Sequence, residues 1–400
     1  MHRLAVIGAG PAGLIAAISA AQKGAQVFLL EAEQRVGSKI LSTGNGRCNL
    51  TNMYASPQDY NAPAFVAPIL EAYSPKHIRT IFEQLGLITT VEDEGRVYPQ
   101  SNAANSVLDV LRYSCERYGV NTQTNFEVDV IAQSDEGFIV GSKCGKRVLA
   151  DKVIVATGGG TRLLGTCGHT IMPFSPVLCA LKTQTGNLRG LSGIRAKARV
   201  SLYDNAQSVK PIIAENGEVL FRDYGLSGIV IFNMSRYAQE GNIISIDFVP
   251  ELDKIPLTQK LQKRIDILAH YNKKSALEAE PPSNAELLCG IFQPRVAVAL
   301  LREAHLKAAD PATKQSCEAL AKACKDFCVK VEGPANIKNA QVTRGGALVD
   351  EFDPLTLESR KTPGIYAAGE TLNVDAKCGG YNLHWAWASG LVAGRAASKG

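Results

Sequence analysis

Three glycines near the start of the chain have the spacing of a phosphate-binding turn. Gly8, Gly10 and Gly13 follow an apolar run from Leu4 to Ile7 and lead into an Ala-rich stretch. Gly8 permits a tight turn, Gly10 lets the backbone approach a pyrophosphate, and Gly13 lets the following helix pack close to the strand. The helix N-terminus would offer unpaired N–H groups and a partial positive charge to the phosphates. The spacing therefore predicts a dinucleotide site.

An acidic residue completes this pattern. A second apolar run, residues 27–30, ends at Glu31, which lies 18 residues after Gly13. A carboxylate at this position accepts hydrogen bonds from a ribose diol and disfavours a 2′-phosphate. We therefore expect FAD or NAD, rather than NADP, as the tightly bound nucleotide. The uncharged run 4–21 is near the minimum length of a membrane span, but its glycines and its weakly basic flank argue against that interpretation.

Composition predicts a globular protein of two or three domains. Of the 400 residues, 46% are hydrophobic and 20% are charged, which is ordinary for a soluble chain. The net charge of +5 is spread without long basic runs, so we expect no nucleic-acid partner and no membrane partner. The ten cysteines form no CxxC and no zinc-finger spacing. Without an export signal, reduced thiols in the cytoplasm and no metal site are expected.

Hydrophobic patterning changes along the chain. After the first βαβ unit, the sequence predicts a polar loop (37–52), helices at 74–85 and 105–118, and short strands that end at 152–156. Antiparallel strands are expected at 196–202, 211–214, 218–221 and 243–248, and helices from 257 to about 325. Cys317, Cys324 and Cys328 recur at helical spacing, so we expect them on one buried helix face. Strands return at 327–331 and 340–342.

A second strand ends at an acidic residue near the C-terminus. The apolar run 364–368 is followed by Gly369 and Glu370, and a helix is expected from 383 to 397. In an open parallel sheet, ligands bind at the carboxyl ends of the strands. The first and last segments should therefore lie side by side and share one cofactor.

Several longer motifs resemble a known family. They are GSKILSTGNGRCNLTN (37–52), GRVYPQSNAANSV (95–107), ATGGG (156–160), GEVLFRDYGLSG (217–228), VTRGGALVDEFDPLTLESR (342–360) and GIYAAGETLNVDAKCGGYNLHWAWASGLVAG (364–394). Together they resemble the YhiN-like family of bacterial FAD-dependent flavoproteins, which includes BaiN-type bile-acid reductases and aminoacetone-oxidase-type enzymes. The resemblance covers almost the whole chain.

The resemblance implies an α/β fold with three parts. A glutathione-reductase-type Rossmann FAD-binding domain would be built from both chain ends, residues 1–185 and 340–400. An inserted, barrel-like β domain would comprise 186–255 and 326–339, and a helical cap would comprise 256–325.

The resemblance also implies which residues hold FAD. The pyrophosphate would lie on Gly8, Ala9, Gly10, Ala12 and Gly13, and the adenosine ribose on Glu31. The other expected contacts are Lys39, Asn45, Gly46, Arg47, Cys48, Val128, Thr157, Gly158, Gly159, Gly369, Glu370, Asp375, Gly379, Gly380, Tyr381, Asn382 and Leu383. Residues 379–383 would present backbone N–H groups to the flavin pyrimidine ring, where they stabilise the negative charge of the reduced flavin.

The chain departs from the family pattern in three places. The stretch 160–170 is about a dozen residues shorter than is usual, so we expect an open substrate side. Asn373 and Ala376 replace a frequent Asp and Gly, whereas Asp375 is retained. Ile229 follows GLSG where Pro is frequent.

The leading expectation is an FAD-dependent oxidoreductase. A hydride would pass between flavin N5 and a small organic or steroid-like substrate, with NAD(P)H as the electron donor. Because no second nucleotide motif is present, we expect NAD(P)H to bind only transiently. The alternatives are an amine or amino-acid oxidase that releases peroxide, and a non-catalytic flavin-binding protein. No catalytic residue is assigned. His384 is expected in the core, and Arg47 is equally suited to an anionic ligand or an internal salt bridge. Tyr381 faces the flavin or packs against it, and Cys48 and Cys378 could approach the flavin.

Overall fold

The structure is a computed structural model that describes residues 2–160, 162–271, 281–335 and 340–399. The chain divides into two compact units, each with its own hydrophobic core. Unit 1 comprises Met1–Pro176 and Gln341–Gly400, and unit 2 comprises Val177–Ala340. The further division of the inserted part into a barrel and a separate cap stays a prediction.

Among the described residues the strands and helices run as follows. The strands are β1 (Arg3–Ile7), β2 (Gln26–Leu30), β3 (Thr51–Asn52), β4 (Thr89–Val91), β5 (Arg96–Pro99), β6 (Asn121–Gln123), β7 (Val128–Ser134), β8 (Gly137–Ser142), β9 (Arg147–Ala150), β10 (Lys152–Val155), β11 (Ile171–Val177), β12 (Leu181–Thr183), β13 (Arg195–Tyr203), β14 (Ile213–Arg222), β15 (Gly225–Ser227), β16 (Ile243–Asp247), β17 (Phe327–Pro334), β18 (Val342–Ala347) and β19 (Ile365–Ala367). The helices are α1 (Pro11–Ala21), α2 (Ser38–Ser42), α3 (Pro63–Ala72), α4 (Pro75–Leu85), α5 (Ala104–Arg117), α6 (Leu163–Thr166), α7 (Ile229–Ser235), α8 (Lys254–Tyr271), α9 (Asn284–Leu288), α10 (Pro294–Glu303), α11 (Lys314–Lys325) and α12 (Tyr381–Ala397).

Unit 1 is organised around a parallel sheet in the order β19-β10-β1-β2-β6. The central strands are almost wholly apolar and buried, as is typical of a parallel sheet covered on both faces. Small antiparallel sheets, β3-β5-β4 and β7-β8-β9, and the pair β11-β18 complete the unit. This Rossmann-type α/β architecture confirms the fold class expected from the sequence.

The two ends of the chain meet more closely through helices than through strands. A Cβ on Gly390 would lie 2.5 Å from the carbonyl oxygen of Ala12, and one on Gly394 would lie 2.4 Å from that of Ala16. Helix α12 therefore packs against the backbone of α1. In the sheet, β10 lies between β1 and β19, so the two end segments lie side by side through their helices and not through adjacent strands.

Unit 2 contains a closed antiparallel barrel in the order β12-β15-β14-β13-β16-β17. Along β13, Ala198, Val200 and Leu202 are buried, and exposed residues alternate with them, as the two-residue period of a strand requires. The expected strands 211–214 and 218–221 form one continuous strand, β14.

The helices α8–α11 also belong to unit 2. Cys317 and Cys324 are buried on α11 as expected, but Cys328 lies on β17, because the helix ends at Lys325. The sequence predicts that the helical segment is interrupted at Glu280, Pro281 and Pro282, of which Glu280 lies outside the described residues. None of the described helices is long and apolar enough to cross a bilayer.

Candidate functional site

The carboxyl ends of four parallel strands, β1, β2, β10 and β19, meet at the glycine turn. The Gly8 amide donates to the Leu30 carbonyl at 2.7 Å, and the Ala156 amide donates to the Ile7 carbonyl at 2.8 Å. The Ala368 amide donates to the Val155 carbonyl at 3.0 Å. The turns after β1, β10 and β19 are therefore held at one edge of the sheet, where open α/β sheets bind their ligands.

The three glycines have different surroundings. A Cβ on Gly8 would lie 2.5 Å from the Ala156 carbonyl oxygen, and a Cβ on Gly13 would lie 1.8 Å from the Gly8 carbonyl oxygen. A Cβ on Gly10 would meet nothing within 4 Å. Gly8 and Gly13 are thus required by backbone packing, whereas Gly10 leaves free space in front of the helix.

The start of α1 is available to an anion. Gly10 is the N-cap residue and no side chain caps it, so the amides of Ala12 and Gly13 lack a side-chain partner. The positive end of an 11-residue helix faces the space beside Gly10, which is the arrangement used to bind phosphates. The residues present therefore fit the pyrophosphate of a dinucleotide.

Glu31 lies at the end of β2 beside the turn. Its carboxylate accepts the Ala9 amide at 2.7 Å and the Glu33 amide at 3.0 Å. These bonds hold the carboxylate at the place expected for a ribose. The Phe126 amide donates to the Glu31 carbonyl at 2.8 Å, which brings the segment leading into Val128 alongside, where the adenine is expected.

Lys39 of α2 and Glu370 link the turn after β10 to the turn after β19. The Lys39 Nζ lies 3.2 Å from the Glu370 Oε2. A Cβ on Gly158 would be 3.2 Å from that Nζ and 3.8 Å from that oxygen, so the three residues converge although they lie far apart in sequence. Gly369 lies against Ala12, and a Cβ on it would be 2.9 Å from the Ala12 Cβ. By contrast, Gly159 faces the Thr343 side chain, its Cβ position 2.4 Å from the Thr343 Cβ.

The 37–52 stretch is not wholly a loop. It contains α2, a 3-10 turn from Thr43 to Gly46, and β3. Asn45 and Cys48 have left-handed backbones, with φ of 56° and 59°, a conformation that is costly for residues other than glycine. Such strain is concentrated where a chain must adopt one conformation for a ligand.

Two expected contacts in this stretch point elsewhere. Arg47 pairs with Glu92, donates to Asn102 and lies 3.9 Å from the centroid of the Tyr98 ring. This is an internal salt bridge, one of the two roles expected for Arg47. Cys48 is fully buried, and burial raises the pKa of its thiol to about 12. Since a thiolate is the reactive form, Cys48 is not a redox nucleophile in this conformation.

The start of α12 is the second uncapped helix end. Gly380 is its N-cap residue and no side chain caps it. The Asn382 side chain accepts the Ala376 amide at 2.9 Å and donates to the Ala376 carbonyl at 2.9 Å, and Asn52 donates to the Gly379 carbonyl at 3.0 Å. These bonds fix the loop before the helix, so Asn382 positions the turn through its side chain. Half-buried Leu383 belongs to the same first turn.

Asp375 is an internal ion-pair partner. It is 1% exposed, and both of its carboxylate oxygens accept bonds from Arg344, at 3.0 and 3.2 Å. A bidentate pair of this kind orients the loop. Asp375 therefore contributes to the shape of the site through Arg344.

Tyr381 is the first residue of α12 and lies in a charged setting. The Lys377 Nζ is 4.8 Å from the centroid of the Tyr381 ring and 2.8 Å from the Asp59 Oδ1. Burial raises the pKa of the Tyr381 phenol, and the Lys377 ammonium only partly opposes this. The phenol is therefore protonated at neutral pH. The Tyr60 hydroxyl donates to the Tyr381 carbonyl at 2.8 Å.

His384 lies in the core, as expected. Its side chain is fully buried, and its Nδ1 lies 2.8 Å from the Thr51 Oγ1. Burial lowers the pKa of His384 to about 4, so the ring is neutral at pH 7. Cys378 is half-buried near Gln341.

Sequence reasoning missed a Ser-His-Glu network beside the shortened stretch. The Ser359 Oγ is 2.9 Å from the His169 Nε2, and the His169 Nδ1 is 2.9 Å from the Glu351 Oε2. Ser359 also accepts the Lys361 and Thr362 amides, so its own proton goes to Nε2 and the His169 Nδ1–H donates to Glu351. Because the His169 side chain is fully buried, the network lacks the access a hydrolytic triad requires. It ties residues 167–170 to 349–362.

Among the described residues, no group of three or more His, Cys, Asp or Glu side chains is arranged to hold a metal ion. The site is built from backbone amides, glycines and a few charged side chains, which is the composition of a nucleotide cradle.

Comparisons with known proteins cover the full chain. The model of the family described as "HI0933-like protein Rossmann domain" matches residues 2–396. The 3-dehydro-bile acid delta(4,6)-reductase of Clostridium scindens is 36% identical over 418 residues and spans 100% of both chains. The ribosomal RNA dihydrouridine synthase of Escherichia coli K12 is 29% identical and covers 96% of this chain and 95% of its own.

A solved structure gives a more distant likeness. The 3-ketosteroid-delta4-(5alpha)-dehydrogenase of Rhodococcus jostii RHA1 is 15% identical, with a TM-score of 0.47, over 100% of this chain and 97% of that one. A likeness at that level adds nothing to the assignment, which rests on the match of the family model and on the bile-acid reductase. The chain belongs to the HI0933-like family, and this confirms its resemblance to the bacterial FAD-dependent flavoproteins.

Proposed function

We propose that this chain, an FAD-dependent oxidoreductase, reduces a carbon–carbon double bond conjugated to a carbonyl group in a steroid-like substrate, with NAD(P)H as transient electron donor. The glycine cradle at the sheet edge, with its two uncapped helix ends, carries the proposal. The name of the 36% identical relative describes reduction of the delta(4,6) bonds of a 3-dehydro-bile acid. That relative matches the chain from end to end, which supports the same class of substrate here.

Residues of unit 1 would hold the cofactor. The start of α1 and the space beside Gly10 would take the pyrophosphate, Glu31 the adenosine ribose, and Lys39 with Glu370 the ribityl chain. The start of α12 would lie against the flavin pyrimidine ring. When bound, FAD supplies the hydride chemistry, and the protein supplies orientation and electrostatics.

Reduction of a conjugated double bond needs a proton as well as a hydride. The hydride adds to the carbon β to the carbonyl, and the proton adds to the α carbon. We assign the proton to the Tyr381 phenol, which stays protonated at neutral pH and lies beside Lys377. Asp59 anchors Lys377 and acts as a positioning residue. Proton donation by a placed side chain contributes typically about 10²- to 10⁴-fold to a rate.

Anaerobic reduction of the bound flavin tests the proposal. We expect NADH or NADPH to bleach the flavin absorbance, and a 3-oxo-Δ4 steroid to restore it without oxygen. Bleaching by amines alone, with peroxide formed on admission of air, would establish the oxidase instead. Purified protein that carries no flavin, and binds none when FAD is added, would contradict the proposal.

A second candidate is reduction of uridine in ribosomal RNA. The Escherichia coli relative and a Haemophilus influenzae relative, 25% identical over 98% of both chains, carry that name. Uracil also contains a double bond conjugated to a carbonyl group, so the same site chemistry would serve. The observation that favours this candidate is the net charge of +5 on unit 2. Its test is incubation with unmodified ribosomal RNA and NAD(P)H, with nucleoside mass spectrometry to detect the gain of two hydrogen atoms.

A further inference from the structure

The net positive charge of the chain comes from unit 2. Val177–Ala340 contains 22 of the 43 Lys and Arg residues and 17 of the 38 Asp and Glu residues, so its net charge is +5. The remaining 21 basic and 21 acidic residues leave unit 1 neutral. The unit expected to hold the cofactor therefore contributes nothing to the net charge.

Two arginines of α10 are bound to the loop that leads into the cationic strand β13. The Arg295 guanidinium donates to the carbonyl oxygens of Gly190 and Ser192, at 2.6 and 2.7 Å, and Arg302 donates to that of Arg189 at 3.1 Å. Strand β13 begins three residues after Ser192. The resulting basic cluster, all exposed, consists of Arg189, Arg195, Lys197, Arg199, Arg295 and Arg302.

The cations on β13 form a regular row. Arg195, Lys197 and Arg199 occupy alternate positions, so they share the outer face of the barrel. Residues two apart on a strand are about 6.6 Å apart. A row of cations at that interval suits a polyanion, because each cation can contact a separate phosphate group.

Most of the cluster has no acidic partner. Among the described residues, Arg195 pairs with Glu218 at 2.5 Å, and the other five cations form no ion pair. The acid beside Arg199 across the ladder, Asp247, is held by Lys325 at 2.6 Å. The two α10 guanidiniums are already oriented by backbone carbonyls and retain N–H groups for phosphate oxygens, to which Arg bonds in a planar fork.

We infer that the basic cluster of unit 2 binds the phosphate backbone of RNA. The inference deepens the second candidate function, since a macromolecular substrate needs a binding surface larger than the reacting base. Substrates of steroid size have no polyanionic backbone to meet such a surface. The expectation of no nucleic-acid partner rested on charge spread along the sequence, whereas the fold binds Arg295 and Arg302 to residues 189–192, just before the cationic strand β13.

Fluorescence anisotropy of the full-length, flavin-loaded protein with a labelled ribosomal RNA fragment tests the inference. The variant Arg189→Gln, Lys197→Gln, Arg199→Gln removes three cations whose side chains form no hydrogen bond or ion pair with the described residues. We expect its affinity to fall about 10- to 100-fold and the slope of log K against log salt to decrease in magnitude by about 2. The matched control Lys23→Gln, Lys76→Gln, Arg147→Gln makes the same charge change on exposed positions of unit 1 and should bind RNA like the wild type.

Two outcomes would overturn the inference. One is equal RNA affinity for the cluster variant and its control. The other is equal binding of polyaspartate, which would make the surface a general polyanion site. Flavin bleaching by NAD(P)H and turnover of a 3-oxo-Δ4 steroid should be unchanged in the cluster variant. RNA binding is measured without turnover, so failure of uridine reduction and failure of this inference remain distinguishable.

Discussion

Gly10 and Gly13 belong to one turn but serve different purposes. Gly10 has an extended backbone, with φ of −77°, that any residue adopts, and free space where its Cβ would lie, whereas Gly13 touches the Gly8 carbonyl. We expect Gly10→Ala to keep the melting temperature of the FAD-free protein and to weaken FAD binding at least tenfold. Gly13→Ala should lower the unfolding free energy by about 1–3 kcal/mol through overpacking. Flavin fluorescence titration and thermal melts measure the two effects. Equal effects of both substitutions on the FAD-free fold would contradict this assignment.

The role of Tyr381 can be distinguished from that of the cofactor by measuring the two half-reactions separately. Tyr381→Phe keeps the ring beside Lys377 and removes only the hydroxyl. We expect flavin reduction by NAD(P)H to be unchanged and reoxidation by a 3-oxo-Δ4 steroid to slow by about 10²-fold or more. Stopped-flow absorbance reports both rates. As a control, Tyr54→Phe alters an exposed tyrosine and should change neither, and an unimpaired reoxidation in Tyr381→Phe would exclude the phenol as the proton donor.

Individual residues show how far sequence reasoning reaches. The turn glycines and Glu31 were predictable because each serves a local backbone geometry that their spacing reveals. The partners of Arg47, which are Glu92, Asn102 and Tyr98, were not predictable, because 45 or more residues separate them from it. The Ser-His-Glu network, drawn from residues 169, 351 and 359, has no spacing signal for the same reason.

Two buried histidines, each of which links two elements, make the unfolding free energy depend on pH. His384 joins α12 to β3, and His169 joins the segment after α6 to the loop before β19. Burial lowers the pKa of both, that of His384 to about 4. Below the ordinary value of about 6.5, the unfolded chain binds protons that the folded chain does not. The unfolding free energy should therefore fall as the pH drops from about 6.5 to about 4, by about 3 kcal/mol for His384.

Urea unfolding at several pH values measures this dependence. His384→Asn keeps a polar group toward Thr51 and should flatten the decline between pH 6.5 and 4, whatever its effect at pH 7. Substitution of the exposed His77 by Gln should leave the decline in place. A His384→Asn protein with the full wild-type decline would show that this ring does not contribute.

The elements themselves were largely predictable from hydrophobic periodicity. Helices α4, α5 and α12 and strands β10 and β16 lie within a few residues of their expected positions. What local sequence did not predict has physical causes. Gly217 lies within β14 because the barrel ladder continues through it, opposite Ala198. The insertion of β10 between β1 and β19 is a matter of strand order, which local sequence does not encode.

At the scale of the whole molecule, every expected FAD contact lies in unit 1. The two units have separate hydrophobic cores, so we expect two transitions in a calorimetric scan. FAD at about 100 times its Kd should stabilise the transition of unit 1 by about 2.7 kcal/mol and leave that of unit 2 in place. RNA should do the reverse. A single transition that shifts as a whole with FAD would contradict independent stabilisation of the units.

The split of unit 1 across both chain ends also sets the order of events during synthesis. Unit 2 is complete at Ala340, while unit 1 still awaits its last 60 residues, including β19 and α12. At about 5–20 residues per second, the ribosome needs roughly 3–12 s to supply them. During that interval the side of α1 that α12 will cover is without its partner. The expected flavin contacts at residues 379–383 belong to this segment, so the FAD site is complete only when the segment has been synthesised.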